Sequence, residues 1–419
     1  MKFIHAADIH LDSPLVGLQF YEGAPVEEIR GATRRALENL IDLAAAERVD
    51  FVLLAGDLYD GDWKDYNTGL FLSSQMSRLR EEGIRVFIIS GNHDAASQIT
   101  KHLRMPDSVK TLSVRNPETV HIEELGLAIH GQGYASRAVT DDLAGGYPLA
   151  TPYHFNIGLL HTSLDGREGH ETYAPTSVGS LLSKGYDYWA LGHVHAREIV
   201  REEPWVVFPG NLQGRHIRET GPKGCMLVEE QDGRIVRVEH RELDVMRWAV
   251  AAVDAGRAAR GDDVIAAAAR VLKKSIKENN HMPLAVRVEI IGATMAHREL
   301  LTNPERWKSE LRAVATDISG GKVWLEKVRF ATREAAGTTL GAKSEALMEL
   351  MNAVDGLSTN ADLVRAAVEA LGDLHEKLPH ELKSGDDAIR LDDPETVKRT
   401  AEGVRQVLMA RIMAGGVEL

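Results

Sequence analysis

Short apolar runs that end on polar residues set the rhythm of the first half of the chain. Phe3-Ile4-His5-Ala6-Ala7 leads into Asp8-Ile9-His10, Phe51 to Ala55 into Gly56-Asp57, and Val86 to Ile89 into Ser90-Gly91-Asn92-His93-Asp94. Asn156 to Leu160 leads into His161, and Tyr188 to Leu191 into Gly192-His193-Val194-His195. Runs this short, bounded by turn residues, read as buried strands. Between the first three the spacing becomes helical: Ile29, Ala32, Ala36, Leu37, Leu40 and Ile41 share a face, and a second helix is predicted from about Thr68 to Glu82, ended by Gly83. Strands alternating with helices over short connections predict parallel strands covered by helices. From about residue 120 short strands follow one another, at 121–124, 127–131, 156–161, 188–191, 205–208 and 224–229. Residues 1–245 are therefore expected to form a two-sheet α/β sandwich.

A second unit is expected over 246–333. Trp248 to Val253 and Leu284 to Ile290 alternate as strands do, Asp262 to Lys277 and His297 to Ile318 have helical spacing, and Lys322 to Phe330 reads as a last strand. This small α+β unit carries no cluster of donor side chains. Residues 334–339 read as a linker. Beyond it helices are predicted at 344–354, 362–377 and 394–413, with apolar stripes such as Leu347, Leu350 and Met351, Leu363, Leu371 and Leu374, and Val397, Val404 and Leu408. Each stripe must be covered, by a neighbouring helix or by a partner.

Composition narrows the class. The chain is 44% hydrophobic and 26% charged, as soluble globular proteins are. No stretch of about 18 apolar residues offers a membrane span. The N-terminus lacks the basic, apolar and small-residue regions of a secretory signal, so a cytoplasmic protein is expected, and a nucleoid-associated one if it acts on DNA. The lone Cys225 excludes an intrachain disulfide. Net charge is −13, which runs against a protein that binds nucleic acid by covering phosphates.

The polar residues at the strand ends are the chemistry. Hydrolysis of a phosphate ester needs charge neutralised on the phosphoryl oxygens and hydroxide made available at neutral pH, and two close divalent ions do both. Two such cations need a shared anion, for which Asp57 is the best placed. Asp8 and His10, two apart, would face one ion from an extended chain. His193 and His195 repeat that spacing, and Asn92 and His161 complete the second ion's ligand set. Mixed imidazole, carboxylate and amide donors suit manganese, iron or zinc. His93 is the expected catalytic group, stabilising the transition state or protonating the leaving alkoxide, with Asp94 orienting its ring. Arg215, His216, Arg218 and Lys223 form the densest basic cluster nearby, either a contact to a phosphate backbone or a solvated turn with Glu219 pairing one arginine, and Tyr59, Trp63 and Tyr66 either stack on bases or pack in the core or a dimer seam. His5, His121, His130 and His154 are given no role.

The ordered set Asp8-x-His10, Gly56-Asp57, Gly91-Asn92-His93-Asp94, His161 and Gly192-His193-x-His195 resembles the calcineurin-like metallophosphoesterase superfamily. The opening 3–11, the Gly56-Asp57-Leu58-Tyr59-Asp60 form of the second motif and the added α+β unit are similar to SbcD-type DNA-repair exonucleases, and the run 209–224 to their YhaO-like branch. The resemblance implies a metallophosphoesterase sandwich at 1–245, a capping domain at 246–333, and a linker with helical partner-binding region at 334–419. It implies a manganese-dependent DNA exonuclease, possibly also an endonuclease, working as a homodimer. An SbcC-like or YhaN-like ABC-type ATPase would dock on the C-terminal helices. Carried over, Asp8, His10, Asp57 and His195 would hold one ion and Asp57, Asn92, His161 and His193 the other, with His93 catalytic. A phosphatase or cyclic-nucleotide phosphodiesterase would use the same two-metal centre; the extra units argue against it.

Overall fold

The computed structural model describes residues 1–15, 18, 31–60, 66–96, 104–166, 173–335, 349, 360–378 and 389–414 of the 419. Trp63, most of the 334–339 linker, the 344–354 helix apart from Glu349, and the 379–387 segment lie outside them. Two compact units are present. The first takes Met1–Val250, Ser275–Val286 and Lys322–Glu326, the second 251–274, 287–321 and the described residues from Lys327 onward.

The first unit opens with β1 (Lys2–Ala6), α1 (Ala32–Glu47), β2 (Phe51–Ala55), α2 (Tyr66–Glu81) and β3 (Arg85–Ile89). β1, β2 and β3 lie side by side and parallel, with Phe3 opposite Phe51 and Phe51 opposite Arg85. A short helix α3 (Asn92–Ala96) follows, then β4 (Val109–Thr111), parallel to β3. Successive strand residues point to opposite faces. Ile4, Val52, Leu54, Val86 and Ile88 therefore pack under α1 and α2 with Ala36, Leu37, Leu40 and Met76. Phe3, Phe51, Leu53 and Phe87 point the other way, and the rings of Phe3 and Phe51 stack at 5.0 Å. With both faces buried, these strands are mainly apolar.

A second sheet takes β5 (Glu118–Ile122), β6 (Leu127–Gly131), β7 (Phe155–His161), then, after α4 (Val178–Leu182), β8 (Tyr188–Gly192), β9 (Glu198–Glu202) and β10 (Trp205–Phe208), in the order β5-β6-β7-β8-β10-β9. Its central strands are parallel. β11 (Gly224–Gln231) and β12 (Arg234–Glu242) return to the first sheet, whose order is β12-β11-β1-β2-β3-β4. The sheets pack face to face, Phe3, Phe51 and Phe87 meeting Ile129, Ile157 and Tyr188. Buried His5 crosses between layers, with Nδ1 3.0 Å from the Tyr188 hydroxyl and Nε2 3.1 Å from the Leu191 carbonyl oxygen. The two-sheet α/β sandwich is present as expected.

β13 (Arg247–Asp254), α5 (Gly261–Glu278), β14 (Leu284–Thr294), α6 (His297–Thr302), α7 (Pro304–Ser319) and β15 (Val323–Glu334) follow, and the three strands form one sheet in chain order. The single helix expected over 297–318 is two. Pro304 occupies the first turn of α7, and the residue before a proline is driven out of helical geometry. Asn303 there caps α7, accepting from Arg306 N. Helices α8 (Ala361–Lys377) and α9 (Pro394–Ala414) touch each other, and α9 touches α6. Val364 and Val397 are buried, whereas Leu363, Leu374, Val404 and Leu408 are exposed. Among the described residues no helix is long and apolar enough to cross a membrane.

Candidate metal centre

The donors sit at the C-terminal ends of parallel strands, where α/β sheets place their sites. Asp8 and His10 follow β1, Asp57 follows β2, Asn92 opens α3 after β3, His161 ends β7, and His193 follows β8. The loops after β1 and β2 run together: Asp8 N donates to Gly56 O at 3.0 Å and His10 N to Asp57 O at 3.0 Å. The backbone there is not extended. Asp8, His10, Asp57 and His193 have φ of 52°, 45°, 53° and 100°, a region that side-chain-bearing residues rarely adopt. Asp8 and His10 thus share a side through two left-handed residues, where spacing alone suggests an extended pair.

Asp8, His10 and His195 offer ligand atoms within 4.8 Å of one another, as do Asp8, Asp57 and His161. Nε2 of His10 lies 3.2 Å from Nε2 of His195 and 3.9 Å from Asp57 Oδ2. Nε2 of His161 lies 3.4 Å from Asp57 Oδ2 and 3.0 Å from Asn92 Oδ1. Asp57 belongs to both halves. The ring of His193 is centred 5.2 Å from that of His161 and 5.8 Å from that of Tyr173, and joins neither close group. The His93 ring stands 4.9 Å from that of His10, at the rim and partly exposed.

What holds the imidazoles matters as much as where they point. His161 Nδ1 lies 2.8 Å from Ala55 O, and since a carbonyl only accepts, that nitrogen carries a hydrogen and Nε2 is the one that can bind a metal once it gives up its proton. His195 Nδ1 lies 2.6 Å from Glu219 Oε1, which orients its ring in the same way. Histidines that bind metals are commonly tied by their other nitrogen to a carbonyl or carboxylate. Asp57 Oδ1 accepts from His93 N at 2.9 Å, and both Asp8 oxygens lie 3.1 Å from His193 N. The glycines are part of the design: a Cβ on Gly91 would overlap the Asp57 carboxylate, and one on Gly192 the Ala55 carbonyl.

The electrostatics are those of a donor set. Burial opposes charge on Asp57, but His161, then His10 and His93, outweigh it and hold the carboxyl far below its ordinary range. Burial likewise opposes a proton on His161, yet Asp57 and Asp8 raise it to about 9. Burial lifts Asp8 to about 7 and pushes His10 to about 4 and His195 to about 3, with the Arg215 cation adding to the histidine shifts. Two neutral imidazoles presenting Nε2 to each other beside two carboxylates are chemically suited to a divalent cation, and the residues fit one.

Several residues have other partners than their sequence suggests. Asp94 does not orient His93. It is buried under the turn, Oδ1 accepting from Leu58 N at 2.9 Å and Tyr59 N at 3.1 Å, and Oδ2 from Gly91 N at 3.0 Å. The carboxylate at His93 is Asp60, whose Oδ1 lies 3.2 Å from His93 Nδ1 and whose Oδ2 accepts from Ser13 Oγ at 2.8 Å. Glu219 pairs with an arginine as the sequence allows, but its contact with His195 left no signal there. The basic cluster is not an open patch. Arg215 pairs with Glu219 at 3.4 Å and Asp60 at 3.7 Å, His216 with Glu219 at 3.4 Å, and buried Lys223 donates to His195 O at 3.0 Å. Only Arg218 of the four is exposed. Tyr59 is a core residue, so it offers no stacking face; Tyr66 is exposed.

Residues 1–197 match the calcineurin-like phosphoesterase family and residues 248–333 the middle domain of metallophosphoesterase YhaO. Residues 1–197 are thus a calcineurin-like phosphoesterase domain. Over 258 residues the chain is 42% identical to metallophosphoesterase YhaO of Bacillus subtilis (strain 168), covering 61% of this chain and 63% of that one. It is 27% identical over 278 residues to the DNA double-strand break repair protein Mre11 of Methanopyrus kandleri, covering 59% and 58%. It is 27% identical over 239 residues to the protein of that name from Sulfurisphaera tokodaii, covering 55% and 56%. The matched stretch spans less than two thirds of each relative. The convergent donors imply divalent metal ions.

Proposed function

We propose that this protein is a two-metal nuclease that cleaves DNA, as an exonuclease with endonuclease action beside it. One observation carries the metal part of the reading: donors from both sheets meet around Asp57, and the imidazoles of His161 and His195 are already tied back by a carbonyl and a carboxylate. Asp8, His10, Asp57 and His195 would hold one ion, and Asp57, Asn92, His161 and His193 the other. Manganese is our choice, with iron or zinc compatible with the same donors. Bound there, the ions would supply charge neutralisation at the phosphoryl oxygens and Lewis acidity toward water. His93 is the acid: burial opposes its proton, but Asp60 and then Asp57 raise its pKa. With Nδ1–H held by Asp60, Nε2–H is left to protonate the leaving alkoxide.

Two relatives named for DNA double-strand break repair support DNA as the substrate. The net charge of −13 argues that a partner contributes DNA affinity. Exposed Leu363, Leu374, Val404 and Leu408 on α8 and α9 support docking of an SbcC-like or YhaN-like ABC-type ATPase there. The active form in this reading is a homodimer in the nucleoid.

The test is incubation of the purified protein with end-labelled single- and double-stranded DNA and Mn2+, with and without chelator. Shortening of the label that chelator stops, and its loss in a His93→Leu variant that still binds metal, are expected. Turnover of small phosphodiesters with DNA left intact would replace DNA by a small-molecule substrate. Full activity of His93→Leu would remove His93 from the mechanism.

A further inference from the structure

Apart from the metal centre, one more cluster of donors stands out among the described residues. His121, Glu123 and His154 offer two ring nitrogens and a carboxylate oxygen within 4.8 Å of one another. The fold brings them together across three strands. His121 is the second-last residue of β5 and Glu123 follows that strand, while His154 immediately precedes β7. β6 lies between, its Leu127 opposite Ile122 on one side and Phe155 on the other, so the end of β5 and the start of β7 flank the same residue.

His154 is arranged as a ligand would be. Its Nδ1 lies 3.0 Å from Pro152 O, which can only accept, so the hydrogen is on Nδ1. Its Nε2 is buried without a hydrogen-bond partner. That nitrogen lies 3.5 Å from Glu123 Oε2. In a tetrahedral site with bonds of about 2.0–2.1 Å, neighbouring donors stand about 3.4 Å apart. The His121 ring is centred 5.4 Å from that of His154, at 73° to it. His121 and Glu123 are exposed, so each can turn toward the shared point.

We propose that His121, Glu123 and His154 form a separate site for a borderline divalent transition metal such as zinc, cobalt or nickel. Two imidazole nitrogens and one carboxylate oxygen bind it, and water completes the shell. Two nitrogens in three donors disfavour magnesium and calcium. Occupied, the site ties the edge strand β5 to β7 across β6. It does not depend on what the phosphoesterase centre hydrolyses.

The test is equilibrium dialysis of the full chain against Zn2+, with bound metal counted by elemental analysis, and a parallel Co2+ titration read by visible absorption. Wild type should bind one more ion per chain than His121→Ala or His154→Ala, and the four-coordinate cobalt band of that ion should be missing in both. Glu123→Gln should weaken it. Circular dichroism and thermal melting of the metal-free variants, expected to match wild type, separate loss of the site from loss of fold. Equal zinc stoichiometry and affinity in wild type and His154→Ala would overturn the proposal.

Discussion

Glu219 reaches His195 from outside the donor set, its Oε1 2.6 Å from Nδ1. The contact fixes the ring that presents Nε2 to His10, and it keeps Glu219 charged: burial opposes, but His195 and then Arg215 hold its carboxyl well below the ordinary range. Replacing Glu219 by Gln leaves shape but weakens the acceptor. Metal affinity at the His10–His195 side should fall about 10- to 100-fold, measured by isothermal titration with Mn2+. An unchanged affinity would make the contact incidental.

Asp60 and Asp94 make opposite predictions. Asp60 raises the pKa of His93, so in Asp60→Asn the ring loses its proton at lower pH. The alkaline limb of the kcat–pH profile should move to lower pH, and kcat should drop about 10- to 100-fold. In Asp94→Asn the limb should stay in place, because Asp94 supports Leu58, Tyr59 and Gly91 and not the ring. Its cost should appear as stability, about 1–3 kcal/mol by denaturant titration.

Metal loading should depend on pH with a definite sign. In the metal-free centre His161 holds a proton below about 9 and Asp8 holds one below about 7. An ion must displace both, so affinity rises with pH. The expected slope is about tenfold per unit from 7 to 9, steeper below and level above. Equilibrium dialysis across that range checks it; a flat profile would mean that neither proton is displaced.

Gly91→Ala tests how closely the loops after β2 and β3 meet. The added Cβ would overlap Asp57 Oδ1 and crowd the Asp57 backbone nitrogen. A loss of about 1–3 kcal/mol is expected, with weakened metal uptake because the displaced carboxylate is the shared one. Gly83→Ala is the control for added side-chain bulk, since nothing lies within 4 Å of its Cβ, although its φ of 74° carries a cost of its own. A metal affinity unaffected by Gly91→Ala would show that Asp57 can move aside freely.

Buried strands were legible from sequence, and edge strands were not. β1, β2, β3, β7 and β8 read as continuous apolar runs because both their faces are covered. β9 and β12 went unread: Glu198–Glu202 and Arg234–Glu242 are mostly charged, as befits strands at the rims of their sheets. Donors at strand ends followed from the same runs. Asp60 and Glu219 did not, because a carboxylate that meets an imidazole through folding leaves no spacing to read, and Asp94, next to His93 in the chain, was the wrong neighbour.

Four donor positions, Asp8, His10, Asp57 and His193, adopt backbone angles that a glycine would take at no cost. Selection for heat resistance would be drawn to those loops, since relaxing each residue recovers on the order of 1 kcal/mol. Glycine there would harden the protein while emptying it of ligands, so durability and chemistry compete for the same four residues.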